Sequence, residues 1–272
     1  MAMGDFQAVD SWPLAGVLGL FIGSYLNVIA WRWFRGDIES PNKLNSRSKC
    51  ASCGKVLGWK ELIPLVSYFI QRGRCVACRA PLSLRYPVAE IITAIVFASI
   101  VVVYGVNPAS VLLIVLASIL LAVALIDAET QLIPDLLSVL GLGVTAIGLI
   151  VLRIPNLIGR LVAHGSFISE RGIVGAIIAI VILGSIVVAT RGRGMGIGDI
   201  KLGGILGLSL GGPATLLALF CGFVSGALVG LILIQQKQAS LKTAVPFGPF
   251  LVFGWFVAVI FSRPIIAWYT GL

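Results

Sequence analysis

Apolar runs separated by short polar breaks occupy most of this chain. Eight of them stand out, from Trp12 to Phe34, Tyr86 to Tyr104, Pro108 to Leu125, Ile133 to Leu152, Ile173 to Thr190, Ile200 to Leu210, Pro213 to Ile234 and Phe247 to Trp268. A helix needs about 20 such residues to cross a bilayer. All the runs except the sixth, which is short and rich in glycine, approach that length. The pattern predicts an all-α polytopic membrane protein of about eight transmembrane helices. Its largest polar remainder is residues 35–85, inserted between the first and second spans. The expected division is a first transmembrane helix over 1–34, an inserted domain over 35–85 and a transmembrane core over 86–272. The opening MAMGDFQAVD has no basic n-region and carries Asp5 and Asp10. No cleavable signal peptide is expected there.

Composition removes the soluble alternative. Apolar residues make up 58% before the 32 glycines are added, and charged residues 11%, against roughly 25% charged in soluble domains. So few polar groups cannot cover a globular surface. The charges also fix an orientation. Of the 20 Lys and Arg, eleven lie between Arg32 and Arg85, with only Asp37, Glu39 and Glu61 among them. Lys- and Arg-rich short loops stay in the cytoplasm beside anionic lipid heads. That is a simpler account of a basic island in a membrane protein than nucleic-acid binding, so no nucleic-acid partner is expected. With 35–85 inside, the turns at 126–132, 191–199 and 235–245 also fall inside. The inner side thereby also collects Arg191, Arg193, Lys201, Lys237 and Lys242, leaving Arg153, Arg160, Arg171 and Arg263 outside.

The island holds two CxxC turns, Cys50/Cys53 and Cys75/Cys78, separated by 21 residues. Each turn offers two thiolates, and two such turns suit one tetrahedral zinc ion. Two disulfides would require an oxidising compartment, and the orientation places these cysteines in the reducing cytoplasm. Gly54 suits the tight turn after the first pair. A segment of about 50 residues has little core of its own, so metal supplies folding energy. The single histidine, His164, falls on the outer side and cannot complete a mixed site. Cys221, inside a span, reads as a small buried apolar residue.

Acids placed where acids are costly carry the chemistry. An ionised carboxylate in a span costs a few kcal/mol even on mild scales. Asp127 ends the third apolar run, and Asp199 sits in Gly196-Ile197-Gly198-Asp199-Ile200-Lys201 at the start of the sixth. The topology brings both to the inner face, although 72 positions separate them. Two neighbouring carboxylates do not both ionise easily, and the result is a general acid beside a general base that activates water. That is aspartic-protease chemistry. Gly196 and Gly198 allow close backbone approach, and Lys201 is placed to tune the pair's titration. A second reading makes Asp199 the N-cap of a helix beginning at Ile200, and the two are compatible. Glu129 reads as solvated interface, and Asp135 as helix-start charge after Pro134. The spacing of a phosphate-binding P-loop is absent.

Taken together, these residues resemble the type IV prepilin peptidases, which remove leaders from pilins and type II secretion pseudopilins and N-methylate them. The resemblance is carried by Gly23-Ser24-Tyr25-Leu26-Asn27-Val28, the paired CxxC turns, Ser67-Tyr68 and Arg72-Gly73-Arg74-Cys75. It continues through Arg85-Tyr86-Pro87 with Glu90, Ile126-Asp127, Pro134-Asp135, the Gly196–Lys201 element and Pro246-Phe247-Gly248-Pro249. The resemblance implies Asp127 and Asp199 as the catalytic pair. It implies a prepilin or pseudopilin substrate with a basic, glycine-ending leader and a following hydrophobic helix, and S-adenosylmethionine as methyl donor. It also implies residence in the bacterial cytoplasmic membrane. No Rossmann-type methyltransferase fingerprint is visible, and the first knuckle reads CASC where the family often has proline after the first cysteine. Two other classes remain open at this point: a proton-coupled transporter using the aspartates as a relay, and a membrane scaffold binding partners through the zinc module.

Overall fold

A computed structural model of the chain describes residues 11–35, 47–151, 172–236 and 245–270. The expectations for the first ten residues, for Asp37, Glu39 and Lys43, for Arg153, Arg160, His164 and Arg171, and for Lys237 and Lys242 lie outside the described residues. Within them the regular structure is helical, apart from two isolated antiparallel β-bridges in the polar island. The α-helices are α1 (Trp12–Phe34), α2 (Val66–Ile70), α3 (Arg85–Tyr104), α4 (Pro108–Thr130), α5 (Asp135–Val151), α6 (Gly172–Ala189), α7 (Ile197–Leu210), α8 (Gly212–Gln235) and α9 (Gly248–Thr270).

Helices stand at all eight predicted apolar runs, but not all are long enough to cross. Six, α1, α3, α4, α6, α8 and α9, have the length and apolar character of a membrane span. α5 has 17 residues and α7 has 14. At about 1.5 Å per residue, α7 covers roughly 21 Å of a hydrocarbon layer about 30 Å thick. The described chain is therefore a multi-pass protein with six helices of spanning length and two shorter ones. Prolines set several starts: α1, α4 and α8 each carry one in their first positions, where the missing N–H has no intrahelical partner to lose. Asn107 caps α4, its side chain accepting from Ser110 N at 2.9 Å while Ser110 Oγ accepts from Asn107 N at 3.0 Å. Apolar side chains exposed along these helices, such as Leu14, Phe21, Ile147, Val181 and Phe220, suit a hydrocarbon solvent.

The chain forms two compact units, one ending at Val102 and the other beginning at Val103. In the first, α1 and α3 run antiparallel in close contact. A Cβ added at Gly19 would stand 2.6 Å from Ala94 Cα, and one at Gly23 would stand 2.9 Å from Glu90 Cα. In the second unit α7 packs against α6, α8 pairs with α9, and α4 lies against α5 and α9. Leu113, Leu116, Leu120 and Ile126 of α4 are fully buried there, and Trp255 of α9 donates its indole N–H to Ser209 Oγ of α7 at 2.9 Å.

The α6–α7 contact is backbone against backbone. A Cβ on Gly207 would collide with the Gly175 carbonyl and stand 2.7 Å from Ala176 N, while Gly184 of α6 faces open space. Small residues at helix contacts give membrane proteins their tight packing. Gly207→Ala should therefore lower the thermal stability of the detergent-solubilised protein by about 1–3 kcal/mol, the usual scale of overpacking. Gly184→Ala should leave it unchanged, and equal melting behaviour for the two variants would contradict this packing.

Candidate active site

The second unit brings Asp127 and Asp199 together. Asp127 lies in the last turn of α4 and Asp199 in the first turn of α7. Both residues are buried, 4% and 8% exposed, and α9, whose first residue donates to Asp127, also packs against α7. Each is held by one backbone N–H. Gly248 N, at the start of α9, donates to Asp127 Oδ2 at 2.8 Å. Gly196 N donates to Asp199 Oδ2 at 3.0 Å. Among the described residues the Oδ1 atoms carry no hydrogen bond from protein groups, so each carboxyl keeps one oxygen for water or substrate.

Two expectations need correction. α7 begins at Ile197 with Gly196 as its cap, so Asp199 is the third helical residue and reaches back to the cap's N–H. It is not an N-cap before Ile200. The flanking glycines let the chain enter the helix three residues early. Lys201 points elsewhere than the pair: its Nζ lies 2.6 Å from Asp135 Oδ1. Asp135 does stand in the first turn of α5, as read from Pro134, and Glu129 is exposed. Gly198 packs against Ile133, with a virtual Cβ 3.0 Å from Ile133 Cβ.

Sequence reasoning gave Gly248 no role of its own. A Cβ there would stand 2.7 Å from Asp127 Oδ2 and 3.1 Å from Cγ, so only glycine lets this helix start meet the carboxylate. The N-terminal end of a helix also favours negative charge. The signal was present in Pro246-Phe247-Gly248-Pro249, where a glycine between prolines opens an apolar run.

In the first unit the four cysteines converge. Their sulfurs all lie within 4.8 Å of one another, and Cys50 Sγ and Cys78 Sγ are 3.9 Å apart. A tetrahedral ion with Zn–S bonds of about 2.3 Å requires sulfurs about 3.8 Å apart, so the donor set and spacing fit one metal. The two turns are built alike. Cys50 N donates to Lys55 O at 2.9 Å and Cys75 N to Ala80 O at 2.9 Å; Gly54 N and Arg79 N return to the carbonyls of Cys50 and Cys75 at 3.0 and 2.9 Å. Each closes on a left-handed residue, Gly54 with φ 72° as expected and Arg79 with φ 58°. Backbone N–H groups of Cys53 and Ser52 pull the Cys50 thiol down to about 6, so one thiolate forms readily. At Cys78 the Ala80 N–H favours the thiolate, but burial and the neighbouring sulfurs outweigh it and push the thiol up to about 11. A cluster that accumulates negative charge with difficulty is one that a cation completes.

Comparison with known proteins matches this division. The family model of the bacterial peptidase A24 N-terminal domain covers residues 17–104, close to the first unit, and that of the type IV leader peptidase family covers residues 114–231. A prepilin leader peptidase/N-methyltransferase of Pseudomonas putida is 35% identical over 93% of this chain and 92% of its own length. Those of Aeromonas hydrophila and Pseudomonas aeruginosa are each 31% identical, over 95% and 99% of this chain and 93% and 98% of theirs. No solved structure gives a significant match. With buried paired aspartates in one unit, clustered cysteines in the other and relatives that align along nearly its full length, the chain belongs to the type IV leader peptidase family.

Proposed function

We propose that this protein is a membrane-embedded aspartic endopeptidase that removes the leader from type IV prepilins or pseudopilins and then N-methylates the exposed amine. The observation that carries the peptidase reading is the pair of buried carboxylates, each pinned through Oδ2 and free at Oδ1. In this mechanism one aspartate is ionised and the other protonated. The ionised group takes a proton from a water held between them, and the water oxygen attacks the scissile carbonyl carbon. The protonated partner gives its proton to the carbonyl oxygen. Collapse of the tetrahedral intermediate breaks the C–N bond as the leaving amine receives a proton. Asp127 and Asp199 fill these roles, while Gly196 and Gly248 supply the N–H groups that hold them.

The remaining assignments follow the charge pattern and the family. Residues 35–85 form a cytoplasmic zinc domain on Cys50, Cys53, Cys75 and Cys78 with a structural role, and the aspartates act at the same face of the bacterial inner membrane. The second activity takes its methyl group from S-adenosylmethionine, whose sulfonium supplies an electrophilic methyl. The transporter reading gains nothing comparable, because both acids sit at helix ends beside backbone donors and no relay of further acids leads away from them among the described residues.

Asp127→Asn and Asp199→Asn should each abolish leader cleavage while the protein still inserts and accumulates; near-normal processing by either would remove that residue from the mechanism. Because one carboxyl must be charged and the other protonated, the wild-type rate should fall on both sides of an optimum pH. Gly248→Ala pushes a methyl into Asp127. It should reduce the cleavage rate by at least about a hundredfold, the scale of a misplaced catalytic group, with little change in affinity for the prepilin. Metal analysis of purified protein should find one zinc per chain, lost in a Cys50→Ser/Cys53→Ser double variant; full metal content in that variant would sink the cysteine assignment.

A further inference from the structure

Three acids are buried among the described residues, and the peptidase mechanism uses two of them. The third is Glu90 in α3, 6% exposed. Its Oε2 accepts from Leu65 N at 2.8 Å, its only hydrogen bond among the described residues. Leu65 itself is unusual: φ is 58° and ψ −54°, and Val66 N donates across it to Pro64 O at 2.6 Å. This is a γ-turn of the rare positive-φ kind, which a β- or α-compatible leucine avoids. Such strain persists where surroundings enforce it, and it gathers at functional sites.

One turn from Glu90 the α1–α3 contact contains Asn27, 2% exposed. Its Nδ2 donates to Gly23 O at 3.1 Å and to Tyr86 O at 3.3 Å. Both amide hydrogens face carbonyl oxygens, which fixes the orientation of the amide, since the flipped form would set oxygen against oxygen. Asn27 Oδ1 is then left without a partner, and it is the one buried side-chain polar atom among the described residues in that state. Side chains on a helix lean toward its N-terminus, so the Glu90 carboxyl leans toward the Tyr86 turn, the level at which Asn27 meets α3. Thr93 Oγ1, one turn further along α3, is already donating to Ala89 O at 2.7 Å. An orphan amide oxygen and an undercompensated buried carboxylate thus share one end of the helix pair. Together they offer acceptors and a negative charge.

We propose that Asn27 and Glu90 form a binding site for a primary amine, whose N–H groups and positive charge would satisfy both. The inference rests on the methylation reading above, which supplies two amines: the N-terminus freed by cleavage and the amino group of S-adenosylmethionine. Neither Asp127 nor Asp199 takes part.

The test uses the full-length, zinc-loaded protein in nanodiscs. Affinity is measured for a pre-cleaved peptide with a free N-terminus and for its N-acetylated form, and likewise for S-adenosylmethionine and its desamino analogue. Methylation and leader cleavage are followed in parallel. The wild type should prefer the free amine by at least about tenfold, since a hydrogen bond to a charged group is worth that much or more. A preference on the peptide identifies the freed N-terminus as the occupant, and one on the donor identifies its amino group. Glu90→Gln, which keeps an acceptor for Leu65 N, should erase the preference while zinc content and cleavage persist. If that variant loses its zinc, Asn27→Ala takes its place in the comparison. No preference in the wild type for either amine, or a preference that survives in the folded variant, overturns the site. Absence of methylation in the wild type would instead overturn the second activity, with the affinities still deciding the site.

Discussion

A carboxylate taken out of water must be met by a donor, and in an apolar helix bundle the backbone is the main supplier. Each of the three buried acids described here solves the problem in the same way, by accepting a single N–H from a place where the backbone has one to spare. Asp127 draws on the first turn of α9, Asp199 on the cap of its own helix, and Glu90 on the turn at Leu65. One neutral hydrogen bond offsets part of the desolvation of a carboxylate and no more. The residual imbalance is what makes these groups chemically available. Burial within the helix packing and a single backbone donor leave each acid with an oxygen to offer to another partner.

The backbone can come so close because side chains have been removed at the contacts. Gly248 admits Asp127, Gly207 and Gly175 admit each other's carbonyls, and Gly23 seats the Glu90 turn of α3 against α1. Lipid offers no hydrophobic incentive for helices to associate, so close packing and hydrogen bonds hold them. The same kind of small residue therefore serves stability at the α6–α7 contact and carboxylate geometry at Gly248.

Much of this was legible in the sequence. The apolar runs located every long helix, because span length is a property of composition over about 20 residues. The cysteine spacing foretold the cluster, because CxxC is a local geometry. Paired acids at the ends of distant runs pointed to Asp127 and Asp199. What was not legible depended on the third dimension. Lys201 lies two positions from Asp199, yet its partner is Asp135, 66 positions away; helix rotation, not sequence proximity, decided that. The true start of α7 was hidden by glycines, which carry no capping side chain to mark the boundary. Arg79 adopts the left-handed turn that Gly54 made predictable in the first knuckle, and no residue preference announces it.

The two cysteine turns also say something about how the cysteine module is built. Each closes through its own backbone hydrogen bonds within about ten residues, Leu57 N to Ser48 O at 2.8 Å in one and Leu82 N to Gly73 O at 2.7 Å in the other. The backbone closure of each turn uses no group of the other. The second follows 25 positions after the first in the chain and directly precedes α3. A metal on the four thiolates would join two locally closed halves across the loop between them, an entropic closure whose cost grows only slowly with loop length.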